Sequence, residues 1–159
     1  MMGVGKSTLG KIVAKKEGFK FIDTDLNIEK KFSMTIPEIF KEKGEGFFRM
    51  EEEKIVLECL EINKSVIAIG GGAFLNKKVR EKILKNSISI WLDLNLKAIN
   101  KRVEWNNKRP LLTKKNSQNK INKLYSERKN IYSQAEHKIN CDKLTKAEIV
   151  KTIIKLNEK

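Results

Sequence analysis

The run Gly3-Val4-Gly5-Lys6-Ser7-Thr8 constrains this 159-residue chain more than any other feature. It matches the closing part of G-x-x-x-x-G-K-[ST], a loop whose glycines let consecutive backbone N–H groups curl around phosphates. A helix must follow, because its amino end adds partial positive charge to the same site. The sequence supplies one: residues 6–17 carry Leu9, Ile12 and Val13 on one face, and Gly18 is a good stop. In such a loop Lys6 reaches the β- and γ-phosphates of a nucleoside triphosphate, and the Ser7 hydroxyl ligates Mg²⁺.

A phosphate loop of this kind belongs in an α/β domain with a parallel sheet, and the rest of the chain alternates accordingly. Strand candidates are 19–23 (FKFID), 65–69 (SVIAI), 87–92 (SISIWL) and, more weakly, 137–140 (HKIN). Thr35-Ile-Pro-Glu38 is a capping box opening a short helix that Gly44 closes, and residues 47–62 form a longer helix with Ile55, Val56, Cys59 and Leu60 inward. Asn76 and Asn95 cap two further helices, the first to Lys85 and the second to about Trp105. Ile121, Leu124, Tyr125, Arg128 and Tyr132 share a helical face, and Thr145-Lys-Ala-Glu148 caps a final helix packing Ile149, Val150, Ile153 and Ile154. The polar stretch 113–119 after Arg109-Pro110 reads as a mobile loop.

Composition narrows the class. With 40% hydrophobic and 34% charged residues the chain reads as one globular domain spanning 1–159. No apolar run approaches the ~18 residues of a membrane helix, and no signal or transit segment opens the sequence. Cys59 and Cys141 lack metal-ligand spacing and read as reduced packing residues in a cytoplasmic protein. The net charge of +14 could serve nucleic-acid binding. However, the lysines are scattered over nearly every helix, and aromatics are only 7%, without the interleaving of a stacking platform. A solvated basic surface that attracts anionic ligands is the reading adopted.

Four features bear on what receives the phosphate. Asp23-Thr24-Asp25 ends the first strand, where Asp23 could face a metal through water and Asp25 an acceptor hydroxyl; a polar junction with an N-cap is the alternative. Phe47-Phe48-Arg49 sets a cation at a helix start, against the helix dipole, which suggests an anionic ligand, or else a pair with Glu52 or Glu53. Gly70-Gly71-Gly72 after an apolar strand leaves bare backbone for a ligand to approach, or makes a simple turn. Arg109-Pro-Leu-Leu112 precedes the polar loop and Arg128 follows it. One arginine could stabilise charge on a transferring phosphoryl group, while Arg128 and Arg49 could clamp a carboxylate.

In the order GxGKST, DTD, FR, GGG, RPLL and a final helix arginine, the chain resembles the shikimate kinase family along essentially its whole length. The resemblance implies ATP-dependent phosphorylation of shikimate to shikimate 3-phosphate, a step of chorismate and aromatic amino-acid biosynthesis, by a monomer. It implies that Gly3, Val4, Gly5, Lys6, Ser7 and Thr8 bind ATP, with Mg²⁺ held by Ser7 and, through water, Asp23. Arg102 would stack on adenine and Arg109 would be the arginine of a lid spanning about 109–120. Asp25, Arg49, Gly71, Gly72 and Arg128 would bind shikimate, Phe40 and Phe48 would wall the acid pocket, and Lys6, Asp25 and Arg109 would carry the chemistry. The sequence departs from the family in having Lys129-Asn130-Ile131-Tyr132 where proline often follows the last arginine, and Lys143 is a loose match to a basic residue near the adenine.

The implied fold is a three-layer P-loop kinase with a parallel five-stranded sheet in the order 2-3-1-4-5, and its first strand is missing here. The full motif's first glycine would fall one position before Met1. Losing about five buried strand residues forfeits on the order of 10 kcal/mol, against a total stability of ~5–15 kcal/mol. The expectation is therefore a destabilised chain whose native start lies roughly ten residues upstream, enough for one strand and a glycine. The alternatives are an inactive truncated homologue, a P-loop kinase for gluconate or a nucleoside monophosphate, and a basic nucleic-acid-binding module with a vestigial nucleotide site.

Overall fold

The phosphate loop leads into the first helix, α1 (Lys6–Glu17), and the strands and helices alternate from there. The structure is a computed structural model describing residue 1, residues 3–104 and residues 117–158, with 102–104 and 117 placed by their backbone alone. After α1 come β1 (Lys20–Asp23), α2 (Thr24–Phe32), α3 (Ile36–Cys59), β2 (Ser65–Ala68) and a short 3₁₀ turn (Ala73–Leu75). Then follow α4 (Lys77–Asn86), β3 (Ile90–Asp93), α5 (Leu96–Glu104), α6 (Ser117–Tyr132), β4 (His137–Asn140) and α7 (Lys146–Asn157).

Local chemistry sets the helix ends. Thr35 and Thr145 each form the capping box read from the sequence, and Asn76 accepts from the Val79 N–H. Asn95 accepts from the Ala98 N–H at 2.9 Å. The helices expected on either side of Gly44 are one continuous element, broken there by the glycine's φ of 82°. The second half of α3 therefore has its own amino end, where Arg49 sits. Helix α6 begins at Ser117, so residues 117–119, expected in the polar loop, are helical, while 105–116 lie outside the described residues.

The expected inward face of α1 is corrected at Ile12, which is 36% exposed, while Leu9, Gly10, Val13 and Ala14 are buried. Helix α1 seats Gly10 directly against the strands: a Cβ there would stand 2.7 Å from Phe21. That contact rotates Ile12 outward.

The strands pair as two parallel couples, β1 with β2 and β3 with β4. These are the 2-3 and 4-5 pairings of the expected sheet. Between β2 and β3, where the sequence leads one to expect strand 1, lies an apolar slot of about 540 Å³. Lys64 and Ser87, which precede the two strands, line one end, and Met1 and Lys6 line the other. Leu9, Val66 and Ile90 form its walls. The inner edges of β2 and β3 thus face each other across the slot without pairing to each other.

Candidate active site

Ser7 and Asp23 bring the phosphate loop to the carboxyl end of β1, where the Ser7 hydroxyl donates to Asp23 Oδ2 at 2.5 Å. The other Asp23 oxygen caps α2, accepting from the Asp25 and Leu26 N–H groups at 3.1 and 3.3 Å. The N-cap alternative raised for this motif is therefore realised together with the Ser7 contact, because a carboxylate has an oxygen for each task. Capping also fixes the direction of Asp25, two residues further on. Gly5 begins α1 with φ 96°, a conformation a side chain would strain, and the first-turn N–H groups are left facing the phosphate position. The Lys6 ammonium is folded back, donating to the Met1 carbonyl at 2.8 Å.

The second half of the site gathers around Gly70-Gly71-Gly72. Thr24, fully buried at the head of α2, accepts from the Gly70 N–H at 3.2 Å and so joins the glycine run to β1. A Cβ on Gly70 would lie 2.5 Å from Glu52 Oε1 and 2.6 Å from Asp25 Oδ1, so two carboxylates converge on a position only glycine can occupy. Arg49 donates from Nη1 to Glu52 at 2.6 Å and from Nη2 to Glu45 at 3.1 Å. The intrahelical partner foreseen for Arg49 is thus Glu52, and Glu53 instead pairs with Lys78 at 2.9 Å. The Arg49 guanidinium also lies 5.2 Å from the Phe48 ring and 5.9 Å from that of Phe40, the two expected apolar walls. Arg128, only 6% exposed, comes from α6 and donates to the Gly71 carbonyl at 3.0 Å.

Glu52, 3% exposed, joins the site, although the sequence offers it only as a partner for Arg49. Burial pushes its carboxyl above the ordinary carboxylate range, against the opposing pull of Arg49 and Arg128, and Asp25 adds to the upward shift. Its spacing of three from Arg49 is visible in the sequence, but its closeness to Asp25 and Gly70 is a tertiary fact. Of the remaining expected residues, Arg102 is placed by its backbone in α5, and Arg109 lies outside the described residues. Val4 is buried, and Gly3, with φ 72°, completes the turn of the loop.

A glycine loop at a helix start, joined to a carboxylate at a strand's carboxyl end, with two arginines gathered on a nearby glycine run, defines a P-loop phosphotransferase for a small anionic acceptor. Comparison with known proteins narrows that class. The family described as shikimate kinase matches residues 2–158. A shikimate kinase of Bartonella henselae is 39% identical over 155 residues, covering 98% of this chain and 74% of its own. One from Sulfurihydrogenibium is 41% identical over 153 residues, covering 96% and 91%. Among solved structures, shikimate kinase from Acinetobacter baumannii in complex with shikimate superposes with a TM-score of 0.93 at 31% identity, covering 98% of this chain and 87% of that one. The enzyme from Bacteroides thetaiotaomicron gives 0.90 at 30% identity, covering 99% and 94%. The chain belongs to the shikimate kinase family. It is accordingly a kinase that transfers phosphate from ATP to shikimate, in aromatic amino-acid biosynthesis.

Proposed function

We propose that the reaction runs between the phosphate loop and the Arg49–Arg128 pocket, with the roles divided as follows. The loop's N–H groups and the amino end of α1 hold the ATP phosphates. Lys6 leaves the Met1 carbonyl to bridge the β- and γ-phosphates, exchanging a neutral acceptor for charged ones. Ser7 and Asp23 present hydroxyl and carboxylate oxygens 2.5 Å apart, so that Ser7 would hold Mg²⁺ directly and Asp23 through one of the waters that Mg²⁺ keeps. Bound there, Mg²⁺ would neutralise charge on the phosphates.

Arg49 and Arg128 clamp the shikimate carboxylate, and the glycine run lets the acceptor ring approach backbone N–H groups. Asp25 faces the ring hydroxyls. As the attacking oxygen bonds to the γ-phosphorus and the bond to the departing ADP oxygen breaks, Asp25 takes the hydroxyl proton. Arg102 stacks on adenine, and Arg109 closes over the phosphates from a lid expected over about 109–120, of which the part from Ser117 onward belongs to α6. The unit is a single domain acting as a cytoplasmic monomer on small molecules, without a nucleic-acid partner. Among the described residues no helix is long and apolar enough to cross a membrane.

The observation that carries this assignment is the convergence of Asp25, Arg49 and Arg128 on one glycine run from three separate helices. Arg49→Ala is expected to raise the shikimate KM roughly tenfold or more, since charged hydrogen bonds are worth ~1.5–3 kcal/mol, while the KM for ATP stays near that of the parent. An unchanged shikimate KM would remove the carboxylate clamp. Gly70→Ala is expected to weaken shikimate binding at least about tenfold in calorimetry, because the new methyl displaces both carboxylates. Equal affinity in that variant would show that Asp25 does not reach the acceptor.

A further inference from the structure

We propose that Tyr132 is a positioning residue for the acid pocket: with Arg128 it holds the Gly71 carbonyl and so aims the Gly71–Gly72 peptide at the acceptor. The proposal rests on the pocket assignment above.

The Tyr132 hydroxyl and Arg128 Nη1 both donate to the Gly71 carbonyl oxygen, the latter at 3.0 Å. The donors stand four residues apart on α6, one turn along the same face. Together they use both lone pairs of that oxygen. The Tyr132 side chain has little freedom to do otherwise. It is 5% exposed, and its ring centroid lies 6.1 Å from Trp91 and 6.5 Å from Phe74. Burial pushes its phenol above the ordinary tyrosine range, which keeps the hydroxyl a donor.

A trans peptide is planar, and its C=O and N–H point in opposite directions. No peptide bond among the described residues is cis. Drawing the Gly71 carbonyl toward α6 therefore turns the Gly72 N–H away from α6. Gly72 lies against the Arg49 guanidinium, so closely that a Cβ there would collide with Nη1. Among the described residues neither the Gly71 nor the Gly72 N–H has a protein hydrogen-bond partner, and such groups donate readily to a carboxylate or hydroxyl oxygen. The same carbonyl also anchors Arg128 through Nη1. One phenolic hydroxyl thus orients a peptide and an arginine together.

Tyr132→Phe keeps the ring and removes only the hydroxyl. The expected result is a shikimate KM raised roughly three- to tenfold, with kcat and the ATP KM within about twofold of the parent and the melting temperature little changed. A lowered melting temperature with an unaltered shikimate KM would mean that the hydroxyl is structural only, and would overturn the proposal. A ligand-free readout separates this from the acceptor assignment. In ¹⁵N-arginine spectra the Arg128 guanidinium signal should shift and its rotation quicken in Tyr132→Phe, and an unmoved signal would also overturn the proposal. A parent chain that neither binds nor turns over shikimate, yet shows the Arg128 change, would instead sink the acceptor assignment and leave the positioning role standing.

Discussion

Lys6→Met is expected to cut turnover by at least two to three orders of magnitude while leaving the fold intact. In the proposed division of roles the Lys6 ammonium is the cation that the loop itself brings to the phosphates, and removing a single charge-stabilising donor from a transition state costs roughly 10²–10³ in kcat. Methionine nearly matches the aliphatic stem, so packing at the head of α1 is kept. Without ligand, the substitution removes the bond to the Met1 carbonyl, which is local to the loop. The melting temperature should therefore stay close to the parent's while phosphoryl transfer disappears. Steady-state turnover with saturating shikimate and ATP reads the effect. A Lys6→Met variant retaining more than about a tenth of parental kcat would mean that Lys6 remains on the Met1 carbonyl through the reaction.

The second large effect is expected from filling the slot between β2 and β3. An apolar strand of about five residues followed by glycine, joined ahead of Met1, would run parallel to both neighbours, because the slot ends at Met1 on the side of the phosphate loop. It would pair with the inner edges of β2 and β3 and bury Val66, Ile90 and Leu9 against new side chains. Each fully buried aliphatic residue contributes ~1.5–3 kcal/mol, and a kilocalorie shifts the melting temperature of a domain this size by about 2–4 °C. The extended chain should thus melt at least ~15 °C higher than the chain lacking the strand. Gly70, Gly71 and Tyr132 also line the slot, so the acid pocket should stiffen with it. Equal melting temperatures for the two chains would show that the slot does not accept a strand.

How legible these features are in the sequence follows from the range of the interactions involved. Capping boxes at Thr35 and Thr145 are local chemistry and appear where the sequence places them, as does the strand 137–140. The strand expected at 87–92 is observed at Ile90–Asp93, because β4 pairs only from the position of Ile90 onward. Periodicity points Ile12 inward. It turns outward because the absent side chain of Gly10 lets α1 approach Phe21 on that face, which no helical repeat encodes. Asp23, Asp25, Arg49 and Arg128 are legible because motifs carry their identities forward. Thr24 and Glu52 lie in the motifs only as an N-cap candidate and an Arg49 partner, and Tyr132 only as one residue of a helical face, so their roles at the glycine run are not legible. Their contacts to the glycine run span 46 residues for Thr24 and 61 for Tyr132, and only the folded chain brings them together.

The charge of the chain fits this account without a nucleic-acid partner. Several lysines are engaged in surface pairs, such as Lys31 with Glu51 and Lys82 with Glu61, on separate elements. Such exposed pairs contribute little stability. The two arginines proposed for the acid pocket, Arg49 and Arg128, are instead those whose charges act on the buried Glu52.

The most direct test of the account is shikimate-dependent ADP release with Mg²⁺-ATP, measured on this chain and on the strand-extended one, with gluconate and nucleoside monophosphates as alternative acceptors. The account predicts release that requires shikimate and is fastest in the extended chain. Release driven by gluconate or a nucleotide in preference to shikimate, or none from an extended chain shown to be folded, would contradict it.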